Sequence, residues 1–239
     1  MVLVAGCYDD DDRSETALVA APVWHGAPRP AHSARRLHQV LDLRAAVVHE
    51  AEAHGPRRAV RFASLAAPGT VVLRAGCPIG TAAAAPPLVA PDPAATVVAG
   101  AADGHAWMVV PTPTGGITAA ATQRVHPGRA GVETLDRFGA YGTDAPARPE
   151  AVVARVRTLA ETGFETLFNE HRRAWATHWH GAHLDVTGDP GLARDARFAL
   201  AHVLASADDE GAAAVGARGL TGPAYRGHVF WDADVFVLP

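Results

Sequence analysis

The apolar pattern changes period near Asp144, and that change limits what this chain can become. Before it, short runs alternate apolar and polar residues between turn signals. Residues 37–48 are one such run, ending in the alternating Val40-Leu41-Asp42-Leu43-Arg44. Residues 59–65 put Val60 and Phe62 on one face and Arg61 on the other. Residues 1–6, 18–23, 70–74, 105–111 and 117–125 read as further strands, with Gly55-Pro56, Pro68-Gly69 and Thr114-Gly115-Gly116 as turns. Period-two alternation is what a half-buried strand requires, and short strands separated by turns predict an antiparallel β-sandwich. Residues 80–102 carry Pro86, Pro87, Pro91 and Pro93, which exclude a regular helix or a central strand. They read as an extended loop or edge connection, leaving the sandwich incomplete.

After Pro149 the steps become three and four. Val152, Val156, Leu159, Leu167, Trp175 and Trp179 share one helical face. Pro149 suits a first helical turn, and Gly163 breaks the run into two helices or a kinked one. Trp175 and Trp179, one turn apart, read as packing residues. Asp189-Pro190 is a cap followed by a proline at the first helical position. The helix it opens is apolar at most positions through Ala207, as expected of one buried on several sides. The domain reading is therefore a partial β-sandwich over 1–143, a helical linker over 144–186 and a further helical unit over 187–239.

Of 239 residues, 49% are apolar and 19% charged, which places the chain among globular proteins. The net charge of −4 shows no basic patch and argues against nucleic acid as a partner. Two cysteines, Cys7 and Cys77, make no disulfide framework and suit a cytoplasmic setting. No stretch approaches the roughly 18 apolar residues of a membrane span. Residues 3–7, LVAGC, look like a lipoprotein cleavage box but lack its positive start and long apolar run. The carboxylates of residues 9–12 match no calcium loop and read as a solvated turn. His32, His38 and His126 show no paired metal-ligand spacing, so no metal is expected.

Chemistry concentrates in residues 216–239, GARGLTGPAYRGHVFWDADVFVLP. A glycine-punctuated loop runs into His228, Phe230, Trp231, Asp232 and Asp234. An indole packs against the C–H face of a sugar ring, and carboxylates accept hydrogen bonds from its hydroxyls. The alternative is a buried helical turn of Phe230, Val235, Phe236 and Leu238, with the aspartates solvated or capping. The longer stretch resembles the signature of glycoside hydrolase family 65, the maltose, trehalose and kojibiose phosphorylases and their trehalase-like relatives. That signature is close to G-x-x-Y-x-G-H-x-F-W-D-T-E-x-F-x-x-P. Gly222, Tyr225, Gly227, His228, Phe230, Trp231, Asp232, Phe236 and Pro239 fall on it. Ala233 stands in place of Thr, and Asp234 in place of Glu, one methylene shorter.

The resemblance implies a β-sandwich, a helical linker and the first helices of an (α/α)6 barrel. It implies inverting cleavage of an α-linked glucose disaccharide, in which a glutamic acid protonates the leaving oxygen. Phosphate, or base-activated water, attacks the opposite face. Trp231 becomes the stacking wall of the glucose subsite and Asp232 its hydroxyl acceptor. Phe230, Asp234, His228, Tyr225 and Arg218 are further candidates that could equally brace the loop. No glutamate of this chain fits the acid: Glu161, Glu165 and Glu170 lie on the linker helices and Glu210 in a loop. The acid and the phosphate site are expected beyond Pro239, so the chain reads as a fragment, inactive by itself. No cofactor is implied beyond inorganic phosphate as co-substrate of a phosphorylase, and a whole protein of this family could be a homodimer. Phosphorolysis and hydrolysis stay open, as does a truncated, non-catalytic carbohydrate-binding or relic protein.

Overall fold

The computed structural model describes residues 7–9, 17–19, 21–24, 37–55, 57–82, 86–91, 96–112, 115–128, 131–143, 148–182, 184–206 and 215. Its strands are β1 (Cys7–Asp9), β2 (Ala17–Val19), β3 (Val23–Trp24), β4 (Leu37–Asp42), β5 (Val47–Glu52), β6 (Arg58–Ala63), β7 (Thr70–Pro78), β8 (Leu88–Val89), β9 (Val98–Ala102), β10 (His105–Thr112), β11 (Gly115–Pro127) and β12 (Val132–Gly142). Three helices follow: α1 (Pro149–Thr162), α2 (Phe164–Gly181) and α3 (Pro190–Ser206). Eight strands form one sheet in the order β4-β5-β6-β7-β12-β11-β10-β9. All its pairings are antiparallel. It consists of two four-strand meanders fused where β7 meets β12, with Val72 opposite Phe138 and Arg74 opposite Asp136.

Alternation gives the sheet two buried faces. Phe62, Val72, Ala120, Phe138 and Ala140 pack under Val152, Val156, Leu159, Phe164 and Leu167 of α1 and α2. Val71, Leu73, Ala75, Ala119, Ala121 and Leu135 face the other way, against Trp24 of β3 and Leu88 of β8. A slip of one residue would exchange the two sets, so register is fixed by burial on both sides. Each large aliphatic or aromatic side chain so buried contributes about 1.5–3 kcal/mol. Gly139 is dictated by this packing, because a Cβ there would lie 2.6 Å from Trp24 Nε1.

The helical boundaries follow local chemistry. Pro149 occupies the first turn of α1, where its missing N–H costs nothing. Gly163, at φ 81°, ends α1 and starts α2. Its N–H donates to the Leu159 carbonyl at 3.0 Å, so the expected break is a sharp joint. Asp189 Oδ1 caps α3 by accepting the N–H groups of Gly191 at 2.9 Å and Leu192 at 3.0 Å.

Several segments differ from the sequence expectation. Residues 37–48 are a hairpin and not one strand: they turn over 43–46, with Asp42 Oδ1 accepting the Arg44 N–H and Ala46 at φ 47°. The end of the proline-rich stretch forms β9, an edge strand after the last proline, and Leu88-Val89 pairs with β3. Strand β12 lies at the centre of the sheet, although Asp136 and Arg137 mask its apolar alternation. Helix α3 forms as expected but leaves Leu192 57% and Phe198 50% exposed, so it is not enclosed all round. The strand expected over 1–6 lies outside the described residues.

Candidate functional site

Arg218, Tyr225, His228, Phe230, Trp231, Asp232 and Asp234 lie outside the described residues, as does Glu210. The structure describes the scaffold that precedes them. Its ionisable groups gather in three places, each held by different elements.

At the joint of α1 and α2, Arg74 of β7 spans two acids. Its Nε donates to Asp136 Oδ1 at 2.6 Å and its Nη2 to Asp136 Oδ2 at 2.8 Å. Its Nη1 donates to Glu165 at the start of α2. The guanidinium lies 4.2 Å from the Phe164 ring centroid, and His126 Nε2 stands 3.2 Å from Asp136 Oδ2. The hydrogen bond to Asp136 raises the Arg74 pKa above its ordinary value. A cavity of about 470 Å3 opens beside this network, lined also by Arg124, Thr134 and Thr162. Both Asp136 oxygens are engaged as acceptors, so the arrangement braces the helix joint and leaves no lone acid facing a cleft.

Near the middle of α2, His171 is fully buried and stacks on Phe62, with ring centroids 4.5 Å apart. Its Nδ1 accepts the Leu65 N–H at 3.2 Å, which leaves Nε2 to donate to the Ala45 carbonyl at 2.6 Å. Burial pushes its pKa down to about 4, the Ala45 contact opposing the shift. One turn on, Trp175 is buried, and Trp179 donates from Nε1 to the Leu43 carbonyl at 3.1 Å. These residues fasten α2 to the β4–β5 turn, as the packing reading of the two tryptophans expects.

On the opposite face, Glu50 accepts from Gln39 Nε2 at 2.6 Å and pairs with Arg61 at 3.0 Å and Arg57 at 3.6 Å. Arg137 is buried against Gln123, with Nη2 2.7 Å from Oε1, and burial lowers its pKa to about 10. Tyr141 donates to the Pro22 carbonyl at 3.0 Å, and burial raises its pKa to about 12. Sequence reasoning singled out none of Arg74, Asp136, Glu50 or Arg137. Their signal is a charge inside an otherwise apolar strand, visible only once both faces are known to be covered.

Glu161, Glu165 and Glu170 are exposed on α1 and α2, as their place on the helices suggests. Among the described residues no group of three or more His, Cys, Asp or Glu side chains could hold a metal ion. Nor is any described helix long and apolar enough to cross a membrane.

Comparison with known proteins bears on the C-terminal segment and on the fold separately. Residues 197–239, from within α3 to the end, match the model of the glycosyl hydrolase family 65 central catalytic domain. An alpha,alpha-trehalose phosphorylase of Thermoanaerobacter brockii is 33% identical over 110 residues, 44% of this chain and 14% of that protein. A kojibiose phosphorylase of Halothermothrix orenii is 36% identical over 96 residues, 38% of this chain and 12% of that protein. A periplasmic acid trehalase of Saccharomyces cerevisiae is 36% identical over 93 residues, 36% of this chain and 8% of that protein. The chain thus matches less than a sixth of the length of each of these curated relatives. A solved human-microbiome protein, provisionally assigned as a kojibiose phosphorylase, shares the fold over 94% of this chain and 37% of its own. Its TM-score is 0.65 at 13% identity. Residues 197–239 thus resemble the glycosyl hydrolase family 65 central catalytic domain in sequence, and nearly the whole chain resembles the solved protein in fold.

Proposed function

We propose that this chain supplies the scaffold and the sugar-facing signature of an enzyme that cleaves an α-linked glucose disaccharide with inversion, by phosphorolysis or hydrolysis. The carrying observation is the match of residues 197–239 to the family's central catalytic domain, which spans the whole signature. The activities for which the relatives are named, trehalose phosphorylase, kojibiose phosphorylase and acid trehalase, support this substrate class. In this reading residues 1–143 are the sandwich domain, 144–186 the linker and 187–239 the start of an (α/α)6 barrel.

Trp231 stacks on the ring of the non-reducing glucose, and Asp232 accepts from its hydroxyls. Phe230, Asp234, His228, Tyr225 and Arg218 shape or brace that subsite. Hydrogen bonds that tighten as the ring approaches an oxocarbenium ion contribute several kcal/mol in such reactions. The general acid that protonates the leaving oxygen lies outside this chain, and inorganic phosphate serves as co-substrate in the phosphorylase case. The setting is cytoplasmic, without a cofactor or nucleic-acid partner.

Purified Met1–Pro239 is therefore expected to release neither glucose nor glucose 1-phosphate from trehalose, kojibiose or maltose, with or without phosphate, at any pH. A missing proton donor cannot be restored by titration. Turnover by this polypeptide would refute the placement of the acid. Reading the DNA after the Pro239 codon separates the enzyme from a relic: a frame carrying the rest of a barrel supports the enzyme, and a stop supports the relic.

A further inference from the structure

The β4–β5 turn, the second half of α2 and Arg197 of α3 line a half-open cavity of about 840 Å3. Small-molecule sites have volumes of this order. Arg44 of the turn, Arg172 of α2 and Arg197 of α3 line it, and Asp42 is the one carboxylate on its wall among the described residues. Asp42 is already engaged in the turn, its Oδ1 accepting the Arg44 N–H at 2.9 Å. Among the described residues, none of the three guanidinium groups has a hydrogen-bonded or ion-paired partner. Arg172 lies only over the Phe168 ring, 5.7 Å from its centroid. Three such cations at one cleft of a chain with net charge −4 concentrate positive potential where an anion would sit.

Two parts of the wall are tethered within the fold. Trp179 lines the cavity with its Nε1 donating to the Leu43 carbonyl at 3.1 Å, which orients the indole. The turn is held again at the Ala45 carbonyl by buried His171. An anchored indole beside guanidinium groups matches a ligand with an apolar C–H ring face and an oxyanion. Guanidinium groups grip phosphate bidentately, and aromatic faces take the carbon face of a sugar.

We propose that this cavity binds a phosphorylated hexose, its phosphate held by Arg44, Arg172 and Arg197 and its ring against Trp179. Binding here requires no turnover, so its test is independent of the proposed cleavage. The test titrates Met1–Pro239 with glucose 6-phosphate, inorganic phosphate and glucose, by calorimetry and tryptophan fluorescence, at low and high salt. Glucose 6-phosphate is expected to bind saturably, more tightly than phosphate, and more weakly at high salt. Glucose is expected not to bind at this site. Arg172→Gln and Arg197→Gln, both at exposed positions, should each weaken glucose 6-phosphate binding about tenfold without lowering Tm. Four results would overturn the site: no saturable binding, equal affinity for phosphate and its sugar ester, binding unchanged in both arginine variants, or displacement by an acidic peptide at lower concentration.

Discussion

His171 and Ala45 are separated by 126 positions in sequence, yet the imidazole Nε2 donates to the Ala45 carbonyl at 2.6 Å in a fully buried contact. The ring's other nitrogen accepts the Leu65 N–H, so one side chain satisfies two backbone groups from two different loops. That geometry fixes the neutral tautomer. Protonation would put a hydrogen on Nδ1 where a donor already points.

Stability should therefore depend on pH through His171. Burial holds its folded pKa at about 4, below the unfolded value of 6.5. Between those values the unfolded chain binds the proton and the folded chain does not, so stability falls as pH drops from 7 toward 4. The loss can reach about 3 kcal/mol. Tm measured from pH 7.5 to 4.5 should fall more steeply for the native chain than for His171→Asn. Parallel curves would remove His171 from the account. His171→Phe leaves both backbone groups unpaired and should cost about 2–5 kcal/mol at neutral pH.

Gly139→Ala should destabilise by about 1–3 kcal/mol through overpacking. The added methyl would meet Trp24 Nε1 at 2.6 Å and Val71 Cγ2 at 2.8 Å, between two buried layers. Trp24→Phe opens space at that point, so the double variant should be more stable than the sum of the single losses predicts. Strict additivity in urea unfolding would show that the second layer yields without regard to Trp24.

Asp136→Asn should cost about 1.5–3 kcal/mol, because it withdraws the charge from a bidentate partner of Arg74. Glu165→Gln touches the same guanidinium from a side chain 72% exposed and should change stability by less than about 1 kcal/mol. Equal losses would mean that the helix joint, and not the strand pair, anchors Arg74.

The sequence exposes most of this scaffold where one chemical signal acts alone. Alternation at Val60 and Phe62 locates β6, Gly163 locates the helix joint, and Asp189-Pro190 locates the start of α3. It hides β12, because Asp136 and Arg137 answer to Arg74 and Gln123 on other strands. It hides the turn within 37–48, because its geometry is stabilised by Asp42 and by His171 more than a hundred residues away. The candidate subsite was the reverse case. Its motif stands out as local sequence and matches the family's catalytic domain, while its residues lie outside those the structure describes.

The signature itself can be tested by comparing stability with activity in a catalytically competent form of the protein. If Asp232 accepts from glucose hydroxyls that tighten at the transition state, Asp232→Asn should lower kcat/KM about ten- to a hundred-fold at unchanged Tm. Asp234→Asn should do less if it only braces the loop. Trp231→Ala should weaken binding through the lost stacking surface, and Trp231→Phe should restore part of it. A buried helical turn predicts the opposite pairing. Trp231→Ala would then lower Tm, with the loss of about 3–5 kcal/mol of stability that removal of a core aromatic costs, and Asp232→Asn would be nearly silent. Both quantities must come from the same set of variants, because a loss of kcat/KM means little in a domain that has begun to unfold. A silent Asp232→Asn with an intact fold would end the sugar-subsite reading.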